Sequence, residues 1–197
     1  MTSDEPEGAT PLGPDEMTGL KFRHVTTRGE LNELEQANIQ QGLLWLGRQR
    51  GSDILDDDFV RTLHKQLFGD VWEWGGTFRL RETNIGVDPA HIAVQLRMLL
   101  DNARVWAEIA VYTPLEAAAR FHHRMVEIHL FPNGNGRHAR IAADLFLSGY
   151  FDHPAIEWAS GFDLQADNVR RDAYINALRR ADRGEFGPLL EFVGMRG

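Results

Sequence analysis

The chain has 197 residues, no cysteine, 43% hydrophobic residues and a formal net charge of −8. This length suits one compact domain, and the missing cysteines exclude disulfides, thiolate catalysis and cysteine-ligated zinc. No apolar run approaches the roughly 20 residues that span a bilayer, and the acidic start is unlike a signal peptide, so a cytoplasmic protein without membrane contact is expected. The acidic balance also argues against direct binding of nucleic acid.

The first residues differ in composition from the rest of the chain. Residues 1–16 contain five acidic residues, three of the eight prolines and no lysine or arginine. Such a segment has too little apolar surface to fold by itself, so residues 1–18 are predicted to form a flexible tail. Residues 19–197 show no repeat and no linker, which predicts a single domain.

Hydrophobic periodicity predicts helices over most of that domain. The first covers residues 28–50, where Thr27 and Glu30 have the spacing of a capping box and Gly51 would end the helix. The second lies within residues 55–72, and its acidic residues 56–58 suit a helix N-terminus. Five more segments have the helical period: residues 91–109, 114–129, 136–151, 163–182 and 187–194.

One segment departs from the helical pattern. Residues 73–89 contain two adjacent glycines, an alternation through Phe78, Leu80 and Thr83, and then further turn residues. An alternation of period two between turn residues predicts a short β-hairpin. The expected fold class is therefore an all-α helical bundle with one small β-hairpin.

The sequence EIHLFPNGNGRHAR, at residues 127–140, combines a histidine, a tight turn and two arginines. The two glycines permit a positive φ and expose backbone N–H groups where the next helix starts. Such a helix start binds anions. Arg137 and Arg140, one helical turn apart, would add two forked donors for a polyphosphate. His129 lies just before the turn, and an imidazole titrates near neutral pH.

Each of these residues taken alone has a simpler explanation. Arginines near a helix start are often only solvated, and a lone histidine is more often structural than catalytic. The cluster of His122, His123, Glu127 and His129 lacks the HExxH spacing that places two zinc ligands on one helical face. The close grouping of the turn, the arginines and His129 favours a site that binds an anion and accepts a proton.

The motif resembles that of the Fic family, usually written HPFx[D/E]GNGRxxR. Here residues 129–140 read HLFPNGNGRHAR. The sequence LFGDVWEWGGTFR at residues 67–79 is similar to the family segment before the flap, and LRETNIGVDPAHI at residues 80–92 would be the flap hairpin. The similarity covers roughly residues 55–150. TPLGPDEMTGLKFRHVTTRGELNELEQANI and FPNGNGRHAR also resemble the Fic-containing group called mobile mystery protein B.

This resemblance implies an enzyme that transfers AMP from ATP to a Tyr, Thr or Ser hydroxyl of a target protein. His129 would be the general base that takes the hydroxyl proton. Arg137 would hold the β- or γ-phosphate and Arg140 the γ-phosphate. The backbone anion hole would be formed by Gly134, Asn135 and Gly136, and the target would pair by β-augmentation with the flap residues Thr83, Asn84, Ile85 and Gly86.

Two motif positions depart from the family pattern. Leu130 replaces a proline, and Asn133 replaces the carboxylate that holds Mg²⁺. An amide oxygen can ligate Mg²⁺ but supplies no charge, so Mg²⁺ is expected to bind more weakly at Asn133. Two alternatives stay open: transfer of another nucleotide or phospho-group, and a Fic fold that binds a nucleotide or a partner without catalysis.

The resemblance also implies regulation and partners. Many Fic proteins carry an inhibitory helix with the pattern [S/T]xxxE[G/N], and NELEQANI places Glu35 at the glutamate, with Leu31 and Gln36 at the flanking pattern positions. Glu35 would pair with Arg140 and block the γ-phosphate; the alternative is an ordinary solvated helix residue. The similarity to a mobile-element group adds an antitoxin or DNA-binding partner to the expectations.

Overall fold

The computed structural model describes residues 11–49 and 53–195. Over these residues the fold is helical, as predicted, and the only β feature is an isolated antiparallel bridge between Leu20 and Trp72. Within the same residues, no helix is long and apolar enough to cross a lipid bilayer. The α-helices are α1 (Pro14–Met17), α2 (Arg28–Leu46), α3 (Asp57–Phe68), α4 (Ile92–Glu108), α5 (Pro114–Ile128), α6 (Asn135–Phe151), α7 (Val169–Ala181) and α8 (Gly187–Phe192), and a 3₁₀ turn spans Pro89–His91.

Helices α5 and α6 form the centre of the bundle. Alanines at their contact, among them Ala118 and Ala142, are almost fully buried and let the two helices approach closely. The rings of Phe121 and Phe146 pack across the same contact, with centroids 5.1 Å apart. The short connection between these two helices carries the motif, which therefore lies next to this part of the core.

Helix α2 begins where the capping box predicts. The Thr27 side chain accepts a hydrogen bond from the Glu30 backbone N–H, and the Glu30 carboxylate accepts from the Thr27 N–H at 3.1 Å. The helix ends at Leu46 and not at the predicted residue 50. Residue 51, the expected stop, lies outside the described residues.

Asn38 fixes α2 against α3. Its Nδ2 donates to the Gln66 carbonyl at 3.0 Å, and its Oδ1 accepts from the Asp70 backbone N–H at 2.9 Å. A Cβ at Gly42 would lie 2.8 Å from the Gln66 carbonyl oxygen, so only glycine allows this close approach. The Asn38 hydrogen bonds and the close approach at Gly42 fix the position of α2 along the axis of α3.

Residues 11–18, which were predicted to belong to a flexible tail, are bound to the rest of the protein. Residues 1–10 lie outside the described residues, but α1 forms within the second half of the predicted tail. The Glu16 carboxylate binds the Arg81 guanidinium at 2.6 Å, and the Glu16 carbonyl accepts from Trp74 Nε1 at 2.9 Å. These contacts with a distant segment hold the residues that composition alone assigned to a tail.

The predicted hairpin is not formed. Residues 77–88, which we call the flap, are extended or bent and contain no strand. The backbone N–H groups of Arg79 and Val87 instead donate across to Leu130 and Ile128, at 2.9 Å and 3.3 Å. The flap therefore pairs with the α5–α6 connection where a hairpin would pair with itself.

One buried side chain replaces the missing hairpin ladder. Arg79 is 1% exposed, and its guanidinium donates to backbone carbonyls on both arms of the flap and on the chain after α5. Its Nη1 donates to the Arg81 carbonyl at 2.8 Å, Nη2 donates to the Val87 carbonyl, and Nε donates to the His129 carbonyl at 2.6 Å. The fork of five N–H donors makes arginine able to tie all three together.

Candidate active site

The motif turn is built around Gly134. This residue has φ +77°, and a Cβ there would lie 2.7 Å from the Phe68 ring, so the position requires glycine for both backbone and space. Gly134 is the N-cap residue of α6, and no side chain caps this helix end. The first N–H groups of α6 are thus directed at the cavity beside them, as an anion site requires.

Two buried side chains hold the motif loop, residues 129–136. Asn135 Oδ1 accepts from the Phe131 N–H at 2.9 Å and its Nδ2 donates to the Phe131 carbonyl at 2.7 Å. His64 Nδ1 accepts from the Gly76 N–H at 3.0 Å, so Nε2 carries the proton and donates to the Asn133 carbonyl at 3.1 Å. Sequence reasoning missed this role of His64, which lies on α3 far from the motif.

His129 adopts an unusual backbone conformation at the end of α5. Its φ of 56° and ψ of 66° are left-handed, a conformation that costs a non-glycine residue energy and is retained where the surroundings impose it. The residue is 5% exposed. Burial, and to a lesser degree the Arg79 guanidinium, lowers the pKa of His129 from 6.5 to about 4. The imidazole is therefore neutral at physiological pH and able to accept a proton.

Arg137 is bound by the predicted inhibitory glutamate. The Glu35 carboxylate is buried, and its Oε2 accepts from Arg137 Nη1 at 2.7 Å while its Oε1 accepts from Trp72 Nε1 at 2.7 Å. The prediction that Glu35 pairs with Arg140 was wrong, because Glu35 binds Arg137, the first motif arginine. The alternative, that Glu35 is an ordinary solvated helix residue, was also wrong, because Glu35 is 5% exposed.

Arg140 lies on the other side of the α6 N-terminus, next to α7. Its guanidinium stacks over the Tyr174 ring, 5.5 Å from the centroid. The Tyr174 hydroxyl is 2.9 Å from His122 Nε2, and both residues are buried. A Cβ at Gly136 would lie 3.6 Å from Arg140 Nη1, which shows how close this cation lies to the exposed helix N–H groups.

The flap crosses directly over His129. Gly86 has φ +116°, and a Cβ there would lie 2.8 Å from His129 Cβ and 2.5 Å from Arg79 Nη2. Any side chain at this position would push the flap away from the histidine. The Thr83 side chain bonds within the flap, because its hydroxyl donates to the Ile85 carbonyl at 2.5 Å.

A cavity of about 540 Å³ brings most of the predicted site residues together. Neither Glu35 nor Thr83 lines it: Glu35 reaches the cavity only through Arg137, and Thr83 lies outside. The predicted residues that do line the cavity are Asn84, Ile85, Gly86, His129, Asn133, Gly134, Asn135, Gly136, Arg137 and Arg140.

One face of α7 forms a wall that sequence reasoning did not assign to the site. Arg171, Ile175, Leu178 and Asp182 line the cavity with the i, i+4, i+7, i+11 spacing of a single helical face. Arg179 lies beside them. The arginines of α7 were visible in the sequence, although nothing there related them to a motif about 30 residues earlier.

The residues of the cavity do not fit a protein-held Mg²⁺. Asn133 Oδ1 already accepts from the Gly134 N–H at 2.6 Å and faces Arg137 Nη2 at 3.4 Å. Over residues 11–49 and 53–195, no group of three or more His, Asp and Glu side chains could hold a metal ion. A hard cation prefers several charged oxygen ligands, and the motif position that holds the metal in the family pattern supplies one neutral oxygen beside the Arg137 guanidinium.

The all-α fold, with these residues gathered at one cavity, is the Fic type of helical fold. Residues 54–147 match the family described as Fic/DOC. Residues 54–147 of the chain are therefore a Fic/DOC domain. The narrower resemblance to mobile mystery protein B stays a prediction.

Related proteins agree with this assignment. The chain is 26% identical over 177 residues to a probable protein adenylyltransferase of Sinorhizobium fredii, and the aligned region covers 84% of this chain and 84% of that protein. It is 27% identical over 138 residues to a protein adenylyltransferase of Drosophila erecta, covering 68% of this chain but only 26% of that protein. The N-terminal Fic domain of Bep8 from Bartonella sp. 1-1C superposes with a TM-score of 0.69 at 13% identity, over 89% of this chain and 88% of that one.

Proposed function

We propose that this chain transfers the AMP group of ATP to a hydroxyl of a target protein. The observation that carries the proposal is the cavity of about 540 Å³ in which His129, the start of α6 and two arginines meet beneath the flap. The Sinorhizobium and Drosophila relatives, both named adenylyltransferases, support the same reaction. Expected partners follow from it: ATP as the donor and a protein Tyr, Thr or Ser as the acceptor.

In the proposed step, the target hydroxyl oxygen attacks the α-phosphorus of ATP while His129 accepts the hydroxyl proton. A new bond forms between that oxygen and the α-phosphorus, and the bond from the α-phosphorus to the bridging oxygen breaks, releasing pyrophosphate. His129 suits this role because its lowered pKa leaves the imidazole neutral. The α6 N–H groups with Arg137 and Arg140 stabilise the phosphate charge, since positioning and electrostatics dominate such transfers.

The flap positions the acceptor in this proposal. Asn84 and Ile85 line the cavity, and Leu80 is 91% exposed on the outer arm of the flap. An extended target segment that pairs with the flap backbone would place its hydroxyl next to His129, because Gly86 brings the flap into contact with that residue. An antitoxin or DNA-binding partner stays a prediction.

Glu35 restrains the site by occupying Arg137. Its carboxylate forms a buried pair with this arginine and so competes with a phosphate for the same guanidinium. Releasing Arg137 also leaves the Glu35 charge buried against Trp72, which opposes nucleotide binding further. Inhibition by this route acts at the first motif arginine and leaves Arg140 open to the cavity.

Transfer of a radiolabelled α-phosphate from ATP to protein tests the proposed reaction. We expect label on protein hydroxyls in a cell extract, and loss of at least about a hundredfold of the transfer rate in His129→Ala, the usual contribution of a general base. His153→Ala, which removes a histidine outside the cavity, serves as the control. Equal labelling by His129→Ala would contradict the assignment of the base.

Glu35→Gln and Glu35→Gly test the restraint. Both should bind ATP more tightly and modify themselves faster than the parent chain, by about tenfold or more. Glu33→Gln, which removes an exposed carboxylate from the same helix, controls for charge. No gain in either ATP affinity or self-modification would remove Glu35 from the regulatory role.

Another donor is a second candidate, favoured by Asn133. Its side-chain oxygen is engaged by the Gly134 N–H, which differs from a carboxylate free to organise a metal–triphosphate complex. Parallel assays with GTP, CTP and UTP would identify such a donor. Tight nucleotide binding without transfer under all of these conditions, even in Glu35→Gln, would indicate a non-catalytic binding module.

A further inference from the structure

The cavity carries a strong excess of positive charge in an otherwise acidic protein. Five arginines line it, against two carboxylates, and the buried Glu35 behind the cavity wall pairs with one of the five, Arg137. Both carboxylates have cationic or histidine partners: Glu127 binds Arg124 at 2.6 Å, and Asp182 lies 2.8 Å from His123. The whole chain has a formal charge of −8, so this excess is local to the cavity. The arginines that line it are Arg28, Arg137, Arg140, Arg171 and Arg179.

These arginines approach the cavity from separate elements. Arg137 and Arg140 come from the first turn of α6, whose N–H groups are uncapped, and Arg171 and Arg179 come from the facing wall of α7. Arg28 starts α2 at the rim. A polyphosphate placed at the α6 N-terminus would therefore meet guanidinium groups on more than one side, and arginine binds phosphate oxygens in a bidentate manner.

The usual metal position in the same cavity is unsuited to a cation. Asn133 Oδ1 accepts from the Gly134 N–H and faces Arg137, so a divalent ion there would meet a neutral oxygen and a nearby positive charge. Neutralisation of the donor phosphates has to come from elsewhere in the cavity. The arginines of α6 and α7 are the groups in position to supply it.

We propose that this site binds the triphosphate of its nucleotide donor as a metal-free polyanion, with the α7 arginines supplying the charge that a metal ion would otherwise bring. The inference rests on the proposed function, because it takes a nucleoside triphosphate as the ligand. It adds a specific property, namely that binding affinity does not depend on a divalent cation, and it assigns a binding role to Arg179.

Calorimetric titration of the full chain with ATP, in EDTA and in Mg²⁺, tests the inference. The parent chain and Glu35→Gln are both measured, so that competition by Glu35 does not mask binding. We expect the two dissociation constants to agree within about threefold. Asn133→Asp should reverse this pattern, because its carboxylate repels the metal-free phosphates and recruits Mg²⁺, giving weak binding in EDTA and rescue by Mg²⁺.

The α7 arginines are tested by a matched pair of substitutions. Arg179→Gln should weaken ATP binding in EDTA by about three- to tenfold and reduce its salt dependence. Arg180→Gln removes the same charge from the next position, which is exposed and paired with Glu185, and should leave the affinity unchanged.

Three outcomes would overturn the inference, and they can be told apart. Affinity that rises more than about tenfold with Mg²⁺ in the parent chain and in Glu35→Gln would show that the metal carries the phosphate charge, leaving the proposed function intact. Equal effects of Arg179→Gln and Arg180→Gln would remove the role of α7. No binding of ATP or any other nucleoside triphosphate in any condition would overturn both the inference and the proposed function.

Discussion

The motif loop and the flap face each other across the cavity, and they are held in different ways. The motif loop is fixed from two sides, by the Asn135 side chain within the loop and by His64 from α3. The flap has no strand, and its two arms are tied together by the guanidinium of Arg79. Two buried side chains hold the motif loop, whereas the arms of the flap are joined to each other by one side chain and to the α5–α6 connection by two backbone hydrogen bonds.

This difference suits a two-substrate site. The donor nucleotide requires fixed N–H groups and arginines, because preorganised donors stabilise charge without reorganising. In the proposed reaction the acceptor is a protein segment, and a flap that receives segments of different shape gains from being able to adjust. Substitutions in the loop should therefore reduce stability and nucleotide binding together, whereas substitutions in the flap should impair transfer and leave nucleotide binding nearly unchanged.

Lowering the pH should give the largest effect, a loss of folding stability that arises from buried histidines. Burial lowers the pKa of four histidines, to about 4 for His129 and His138 and well below the usual value for His64 and His122. Below pH 6.5 the unfolded chain binds protons that the folded chain does not, so stability falls as the pH decreases towards 4. Near pH 5 the slope should reach up to about 5 kcal/mol per pH unit.

Denaturant unfolding measured at several pH values tests this slope. His138→Gln retains a donor for the Val60 carbonyl, which His138 Nε2 contacts at 3.0 Å, but does not titrate. It should reduce the slope by about a quarter, because one of the four histidines no longer titrates. A slope that is unchanged in this variant, or flat in the parent chain, would show that the histidines are not held neutral.

Asn135→Ala should follow in size. It leaves the buried N–H and carbonyl of Phe131 without their side-chain partner, at a cost of about 2–5 kcal/mol in the free energy of unfolding. ATP affinity should fall as well, since Phe131 lies within the loop that positions the α6 N-terminus. Asn102→Ala, at an exposed position on α4, is the control and should change stability by less than about 0.5 kcal/mol. Loss of stability with unchanged ATP affinity would argue against a rigid donor site.

Arg79→Lys should have a smaller effect on stability and a selective effect on function. A lysine keeps the charge but loses the fork that reaches several carbonyls, so we expect a loss of about 1–3 kcal/mol. Transfer to a protein acceptor should decrease more than about tenfold while ATP affinity stays within about threefold. Arg97→Lys, on the exposed face of α4, is the control. Equal losses of ATP binding and transfer would mean that the flap and the loop are one unit.

Much of the helical fold followed from local patterns in the sequence. The capping box at Thr27 and the apolar periods of α3 to α8 depend on contacts within a few residues, and the structure confirms these helices. The helix predicted over residues 163–182 starts only at Val169, because the Asn168 side chain caps it by accepting from the Arg170 and Arg171 backbone N–H groups. The motif turn was predictable for the same reason, because two glycines and a helix start define it locally. Its grouping with His129 at one cavity is also as expected from sequence adjacency.

The errors arose where distant contacts decide the structure. Alternation in residues 73–89 predicted a hairpin, but Arg79 and the chain near Leu130 take the hydrogen bonds that a hairpin would use. The partner of Glu35 depends on how far α2 is displaced along α3, which Asn38 and Gly42 set by contacts about 25 to 30 residues away. Spacing within one helix carries no information on that displacement.

Intact-mass measurement of the purified Glu35→Gln chain after incubation with ATP tests the central claim most directly. This variant removes the negative charge that pairs with Arg137 while leaving His129 and the α6 N-terminus in place. We expect a gain of one or more AMP groups on hydroxyl side chains, and no gain in the double variant that also carries His129→Ala. The same gain with and without His129, or no gain with ATP, GTP, CTP or UTP, would contradict it.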